Sequence, residues 1–232
     1  MNLESKHFMA TLALLHTGAV VIKPINDIVR SLMPQVRIIN FMDDGIVADI
    51  FRDSGITEPV RRRITHLGEC ASEAKADAIV ITCSSISEMA PALAETTRLP
   101  VYKIDEAMAE EAVRRGTRIG VLATLPTTLD PTCRLIESKA RDAGKSIVIR
   151  RELAHEAFKE LSKGNADAHD QILRAALETL AATEDVIVLA QASMARLIEG
   201  RSSALAVPVL TSPLLGMTLV RTRLRERGVA IG

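Results

Sequence analysis

Two ten-residue segments of the chain repeat one another at a spacing of 108 residues. Residues 77–86 read Asp-Ala-Ile-Val-Ile-Thr-Cys-Ser-Ser-Ile, and residues 185–194 read Asp-Val-Ile-Val-Leu-Ala-Gln-Ala-Ser-Met. Each is an apolar, β-branched run that ends in small polar residues, the pattern of a buried parallel strand delivering its next loop to a site. The register sets Cys83 opposite Gln191 and Ser85 opposite Ser193. One copy therefore carries a thiol where the other carries an amide.

The duplication extends along the chain. Thr11–Thr17 aligns with Arg118–Thr124, both strand-like and both followed by a Gly- or Pro-containing turn. Val36–Asn40 corresponds to Ser146–Arg150 as a second strand, and Gly55 to Gly164 at the close of a short helix. Helical periodicity follows over Glu58–Lys75 and Asp167–Ala182, and Leu99–Tyr102 pairs with Val207–Leu210 as a strand opened by proline. Each half thus reads β-α-β-α-β-α-β, which predicts an α/β fold of two pseudo-symmetric domains with parallel sheets. Ligands of such sheets bind beyond the strand C-termini, which places the expected active site in the interdomain cleft. A C-terminal helix over Leu214–Arg227 is expected to cross back onto the first half. The domains are then 1–105 plus 214–232, and 106–213.

Composition narrows the function classes. The 232 residues hold 29 basic and 29 acidic side chains, so no charge excess points to nucleic acid or an anionic membrane. With no Trp, one Tyr and four Phe, base stacking has few platforms. The N-terminal apolar stretch lacks a basic leader region and is too short to span a bilayer, so neither signal peptide nor anchor is expected. Cys70, Cys83 and Cys133 show no framework spacing, which suggests reduced thiols and a cytoplasmic location. No metal-ligand spacing, P-loop, GxGxxG or Gly-x-Ser-x-Gly occurs, and no metal is expected. Apolar helix faces make a homo-oligomer a reasonable expectation.

The loops after the strands hold the candidate chemistry. Cys83, Ser84 and Ser85 precede an expected helix start at Ile86–Ala90, where free backbone N–H groups and the dipole favour a thiolate. The alternative is a thiol packed in the core. Gln191, Ala192 and Ser193 form the mirror loop, either binding a carboxylate or carbonyl oxygen or capping the following helix. Thr124, Thr127 and Thr128 open a helix as an anion cradle. His16 and Thr17 end the first strand, with His16 open to an acid/base or a structural reading. Asp43 and Asp44 follow the second strand, as ligands for a substrate amine, as groups that orient a thiol or, like His16, act as a second base, or as ordinary helix caps. Cys70, inside an expected helix, reads as core or filler, Cys133 near a helix start keeps a catalytic reading beside a structural one, and His155 and His169 read as helical residues outside the site.

With Cys83 after one buried strand, the Thr124-Thr127-Thr128 set after another, and a mirrored loop at Gln191, nearly the whole chain resembles the aspartate/glutamate/hydantoin racemase superfamily. The resemblance implies a paired α/β fold and cofactor-independent proton transfer next to a carboxylate or carbonyl, with one cysteine per domain. The first cysteine corresponds to Cys83. The second should follow Val186–Leu189, where Gln191 stands, whereas hydantoin-type members have a Cys-Ala-Gly-Met-like loop. The Cys-Ser-Ser-Ile-Ser run is also similar to the hydroxyl-rich loop of one-thiol decarboxylases in the superfamily. The expectation is an isomerase or racemase-like enzyme without cofactor, acting on a small carboxylate or amino-acid-like substrate. Cys83 is its acid/base, and His16, Thr17, Asp43, Ser84, Ser85, Thr124, Thr127, Thr128, Gln191, Ala192 and Ser193 are its binding residues. A one-thiol decarboxylase or C–C lyase, and a non-catalytic carboxylate binder, are the alternatives.

Overall fold

The computed structural model describes residues 10–198 and 205–231. Residues 1–9, which open the stretch expected to be neither leader nor anchor, lie outside the described residues. The chain divides into two compact units, Met1–Ile104 with Gly216–Gly232, and Asp105–Leu215. Among the described residues no helix is long and apolar enough to cross a membrane.

The first unit runs β1 (Ala10–His16), α1 (Ile22–Leu32), β2 (Val36–Met42), α2 (Gly45–Arg52), α3 (Glu58–Glu73), β3 (Ala78–Ile81), a 3-10 segment (Ser84–Met89), α4 (Ala90–Thr97) and β4 (Val101–Lys103). Its strands form one parallel sheet in the order β2-β1-β3-β4. Glu58 and Pro59 start α3 with an acid and a proline in the first turn, where a missing N–H costs nothing. Period-2 alternation distributes β1 over two cores. Leu12 and Leu14 pack with Ile25 and Val29 of α1 on one face, and Ala13 and Leu15 with Ile46 and Ile64 of α2 and α3 on the other. Each fully buried Leu or Ile here contributes about 1.5–3 kcal/mol.

The second unit repeats the plan with α5 (Glu106–Arg115), β5 (Arg118–Ala123), α6 (Pro126–Asp142), β6 (Val148–Leu153), α7 (His155–Ser162), α8 (Ala166–Ala181), β7 (Val186–Leu189), a 3-10 segment (Ala192–Leu197) and β8 (Val209–Thr211). The sheet order is β6-β5-β7-β8, again all parallel. Helix α5 follows the first sheet in sequence, yet its Met108, Ala109, Ala112 and Val113 pack with Ile119 and Val121 of β5. The last helix, α9 (Ser212–Glu226), does the reverse: Met217, Val220 and Leu224 belong to the first unit's core with Leu12 and Ile25.

The aspartate that leads each repeated segment has one job in both units. The Asp77 carboxylate accepts the Thr11 N–H at 2.7 Å, and that of Asp185 accepts the Thr117 and Arg118 N–H groups at 2.9 Å each. Each thereby staples the first strand of its sheet to the third. One expectation shifts in detail: a 3-10 segment, rather than an α-helix, directly follows both β3 and β7. Gly55 and Gly164 each stand just after a short helix, with their N–H groups bonded back to the Ile50 and Leu161 carbonyls at 3.0 and 2.9 Å.

Candidate functional site

Strand register brings the candidate residues to the C-terminal edge of each sheet. In the first unit His16 stands beside Met42 and Leu15 beside Ile81, so the ends of β1, β2 and β3 lie level and the Thr17, Asp43 and Cys83 loops leave from the same edge. In the second unit Leu122 aligns with Leu189, which levels the Thr124 and Gln191 loops.

Cys83 is half-buried, with an extended backbone (φ −128°, ψ 121°) that ends the strand and opens the 3-10 segment. Its carbonyl accepts the Ile86 N–H at 3.2 Å and the Ser87 hydroxyl at 3.4 Å. The thiol packs partly against the Ile81–Ile86–Met89 side of the core, and Ser84 and Ser85 beside it are buried. The other two thiols differ. Cys133 is fully buried in α6, and that burial pushes its thiol up to about 11; Cys70 lies on α3 with its sulfur 3.8 Å from His66 Nε2.

Beneath Cys83 lies a hydrogen-bonded chain that begins one residue earlier. His16 is fully buried, with Nε2 2.9 Å from Asn40 Oδ1 and Nδ1 2.8 Å from Thr82 Oγ1. Burial lowers the affinity of the ring for a second proton, and the Asn40 contact opposes that only in part. In the neutral ring, Nε2–H donates to Asn40 and Nδ1 accepts the Thr82 hydroxyl. The alternative acceptor of that hydroxyl, the Leu15 carbonyl at 2.8 Å, already receives the Thr82 N–H at 3.0 Å. With both ring nitrogens occupied, His16 connects β1, β2 and the residue preceding Cys83. Its Thr17 neighbour is also buried.

The Asp43 carboxylate is committed within its own unit. It receives two N–H groups of Arg63, one of them Nε at 2.7 Å, and the Gly45 N–H at 3.1 Å, the capping contact ordinary for an acid before a helix. Arg63 also donates to Asp49 at 2.5 Å, and it is first the Arg63 and then the Arg52 hydrogen bond that holds the Asp49 carboxyl below its usual range. An open hollow of about 440 Å³ beside this pair is lined by Asp43, Pro59, Arg62, Arg63, His66 and Leu67; Cys83 is not among its walls.

In the second unit, Gln191 does not stand alone. Its Oε1 accepts the Thr124 N–H at 3.0 Å, and its Nε2 donates to Thr124 Oγ1 at 2.6 Å. Thr124 and Thr128 are buried, and the buried Thr127 hydroxyl oxygen has no hydrogen-bond partner among the described residues. Pro126 opens α6, and the Thr128 and Leu129 N–H groups both turn back to the Leu125 carbonyl. Ala192 is half-buried and Ser193 exposed. The 3-10 segment after Gln191 is fastened to α8 by Arg196, which donates to both Asp170 oxygens at 2.5 and 2.6 Å while His169 Nδ1 lies 2.8 Å from the same carboxylate.

Asn40, Thr82, Arg63 and Arg196 escaped the sequence reading. Thr82 and Asn40 are polar residues at the ends of strands flanking His16, a signal visible once the strand order is known. The two arginines carried none, because helical surfaces are rich in arginine for ordinary reasons.

Parallel sheets in the order 2-1-3-4, twice over, with polar loops gathered at each C-terminal edge, define a duplicated α/β protein of the type built around small-molecule sites. The Asp/Glu/hydantoin racemase family model matches residues 15–220, and the chain belongs to that family. Solved structures with the same fold include a glutamate racemase isoform from Bacillus anthracis (16% identity, 97% of this chain and 85% of that one, TM-score 0.73). An aspartate racemase from Picrophilus torridus is similar at 14% identity over 96% of both chains, TM-score 0.70. An allantoin racemase from Klebsiella pneumoniae is similar at 20% identity over 96% of this chain and 90% of that one, TM-score 0.60. A search of curated protein sequences returns no match.

Proposed function

We propose that the chain is a cofactor-independent isomerase of the racemase type, with Cys83 as its acid/base and a small carboxylate or amino-acid-like molecule as its substrate. The observation that carries this reading is the placement of Cys83. In a member of a racemase family, the thiol ends a buried central strand, beside two buried serines and above the His16–Thr82 chain. The thiolate removes the proton from the carbon next to a carboxylate or carbonyl. The C–H electron pair moves onto the oxygen as an enolate, and the thiol then returns a proton from the same face: to the same carbon, which exchanges hydrogen with retention, or to the far carbon of a conjugated enolate, which shifts the double bond and is the isomerisation open to a single base. Thr17, Ser84 and Ser85 beside the thiol bind carboxylate and enolate oxygens, where donors matter more than the base itself; Thr124, Thr127 and Thr128 offer donors to such an oxygen at the edge of the second sheet.

Gln191 limits the second face. An amide does not exchange protons at useful pH, and two of the three groups that could replace a second thiol are engaged elsewhere: His16 is buried with both nitrogens occupied, and Asp43 is held by Arg63, while the third, Asp44, is exposed. The reading is therefore of one thiol serving one face. A ¹H NMR survey of amino acids and 2-substituted carboxylates in D₂O tests it. The wild-type protein is expected to erase the α-proton signal of at least one of them, and Cys83→Ala to leave it intact. Equal exchange by Cys83→Ala would remove the thiol from the chemistry, and a wild type inert towards the whole series would favour a binding protein.

A further inference from the structure

The Gln191–Thr124 contact determines where hydrogens are, not merely which residues touch. Oε1 accepts the Thr124 N–H at 3.0 Å, which orients the amide. The other end of that amide, Nε2, is a donor only, so in the 2.6 Å contact Thr124 Oγ1 must accept. A hydroxyl has a single hydrogen, and this arrangement points it away from Gln191. Among the described residues Thr124 Oγ1 and Gln191 Nε2 make no side-chain hydrogen bond besides this one, so neither this hydrogen nor the second hydrogen of Nε2 meets an acceptor there. Two adjacent donors on neighbouring atoms are thus left for one incoming oxygen.

We propose that Gln191 is a positioning residue: it fixes the Thr124 hydroxyl as a donor to a ligand carboxylate or enolate oxygen, with its own second N–H alongside. The inference rests on the reading above, in which Thr124 binds such an oxygen, and it replaces a direct proton-transfer role for residue 191 with an oxyanion-holding one. It also singles out Gln191→Glu as the informative substitution. A carboxylate at that position would keep both contacts of the clip, accepting the Thr124 N–H with one oxygen and the Thr124 O–H with the other. The hydroxyl hydrogen would turn inward, and both free donors would vanish while the loop stayed closed.

The test is a sodium acetate titration of the ¹⁵N-labelled full-length protein, followed at the amide signals of Thr124, Thr127, Thr128 and Leu129. Wild type is expected to show saturable shifts. Thr124→Ser should bind within about threefold of wild type, and Thr124→Val and Gln191→Glu should bind about tenfold or more weakly, the loss expected of a hydrogen bond to a charged group. Gln191→Glu should melt within about 2 °C of wild type, because the clip survives. The neutral Gln191→Met should also bind more weakly by severalfold, since nothing then sets the hydroxyl. Absence of saturable shifts in wild type, unchanged acetate binding in Thr124→Val, or a weakened Gln191→Glu beside a normal Gln191→Met would each overturn the proposal; the last pattern reports charge repulsion alone. The titration needs no turnover, so saturable acetate shifts that depend on Thr124 and Gln191 stand even if no α-proton exchanges, and its outcome is separable from that of the proton-exchange assay.

Discussion

The buried His16 ring makes a quantitative prediction about pH. In the unfolded chain an ordinary histidine takes up its proton near 6.5, whereas burial in the fold depresses that value. Below pH 6.5 the unfolded state therefore binds more protons than the folded one, and stability falls as pH falls. The contribution is fully present above 6.5 and drains away down to the depressed folded value. One proton of difference corresponds to a slope of up to about 1.4 kcal/mol per pH unit. His16→Gln supplies the comparison, since glutamine can still offer a donor and an acceptor to Asn40 and Thr82 but does not titrate. Urea unfolding of both proteins from about pH 7.5 to about pH 5 isolates the ring, because the other histidines, His7, His66, His155 and His169, remain in each. The wild type is expected to be the more stable at about pH 7.5, and its advantage to shrink progressively below 6.5. The network has one way to accommodate the charged ring: both nitrogens donate and the Thr82 hydroxyl swings to the Leu15 carbonyl, 2.8 Å away. If that rotation fully compensates, the difference between the two proteins will be independent of pH, and the account of His16 as a neutral buried link is refuted.

Two further perturbations address the frame that holds the loops. A methyl group at Gly216 of α9 would fall on the Ile104 carbonyl, a backbone group that cannot rotate away; Gly216→Ala should therefore lower the urea midpoint even though alanine gains about 1 kcal/mol of helix propensity, since overpacking costs about 1–3 kcal/mol or more, and an unchanged or higher midpoint would contradict that close approach. The Asp185 carboxyl is held down to about 2 by the Arg118 and Thr117 N–H groups, against 3.8 for an ordinary aspartate, so the staple's contribution is present above 3.8 and lost as pH falls towards 2. Asp185→Asn should be less stable at neutral pH and show a flatter acid-unfolding curve across that window, and an acid profile identical to that of wild type would remove the staple from the stability of the second sheet.

The strands were legible because Ala-Ile-Val-Ile and Val-Ile-Val-Leu are buried on both faces and leave no alternation to misread. The repeat then supplied the topology, since two copies of one pattern had to fold alike. What the sequence withheld were contacts decided by register between distant strands. His16 and Thr82 meet across 66 residues, and Thr124 and Gln191 across 67. The duplication aligned Gln191 with Cys83 but said nothing of its amide closing on Thr124. Asp43 shows the same limit at shorter range: two acids before a helix admit either a ligand or a cap, and only Arg63, 20 residues on and one helix away, assigns the carboxylate. The 3-10 segments after Cys83 and Gln191 were hidden for a local reason, because serine and alanine near a helix start suit either helix.

The central claim is that one thiol, Cys83, moves a proton on one face of its substrate. Its most direct measurement takes whichever carboxylate exchanges in D₂O and supplies its two enantiomers separately, following each α-proton by ¹H NMR with chiral chromatography of the product. The account predicts that one enantiomer loses its α-proton under wild-type protein while its mirror image keeps it, and that neither exchanges with Cys83→Ala. Comparable exchange of both enantiomers would mean that a second group works the opposite face, and would contradict it.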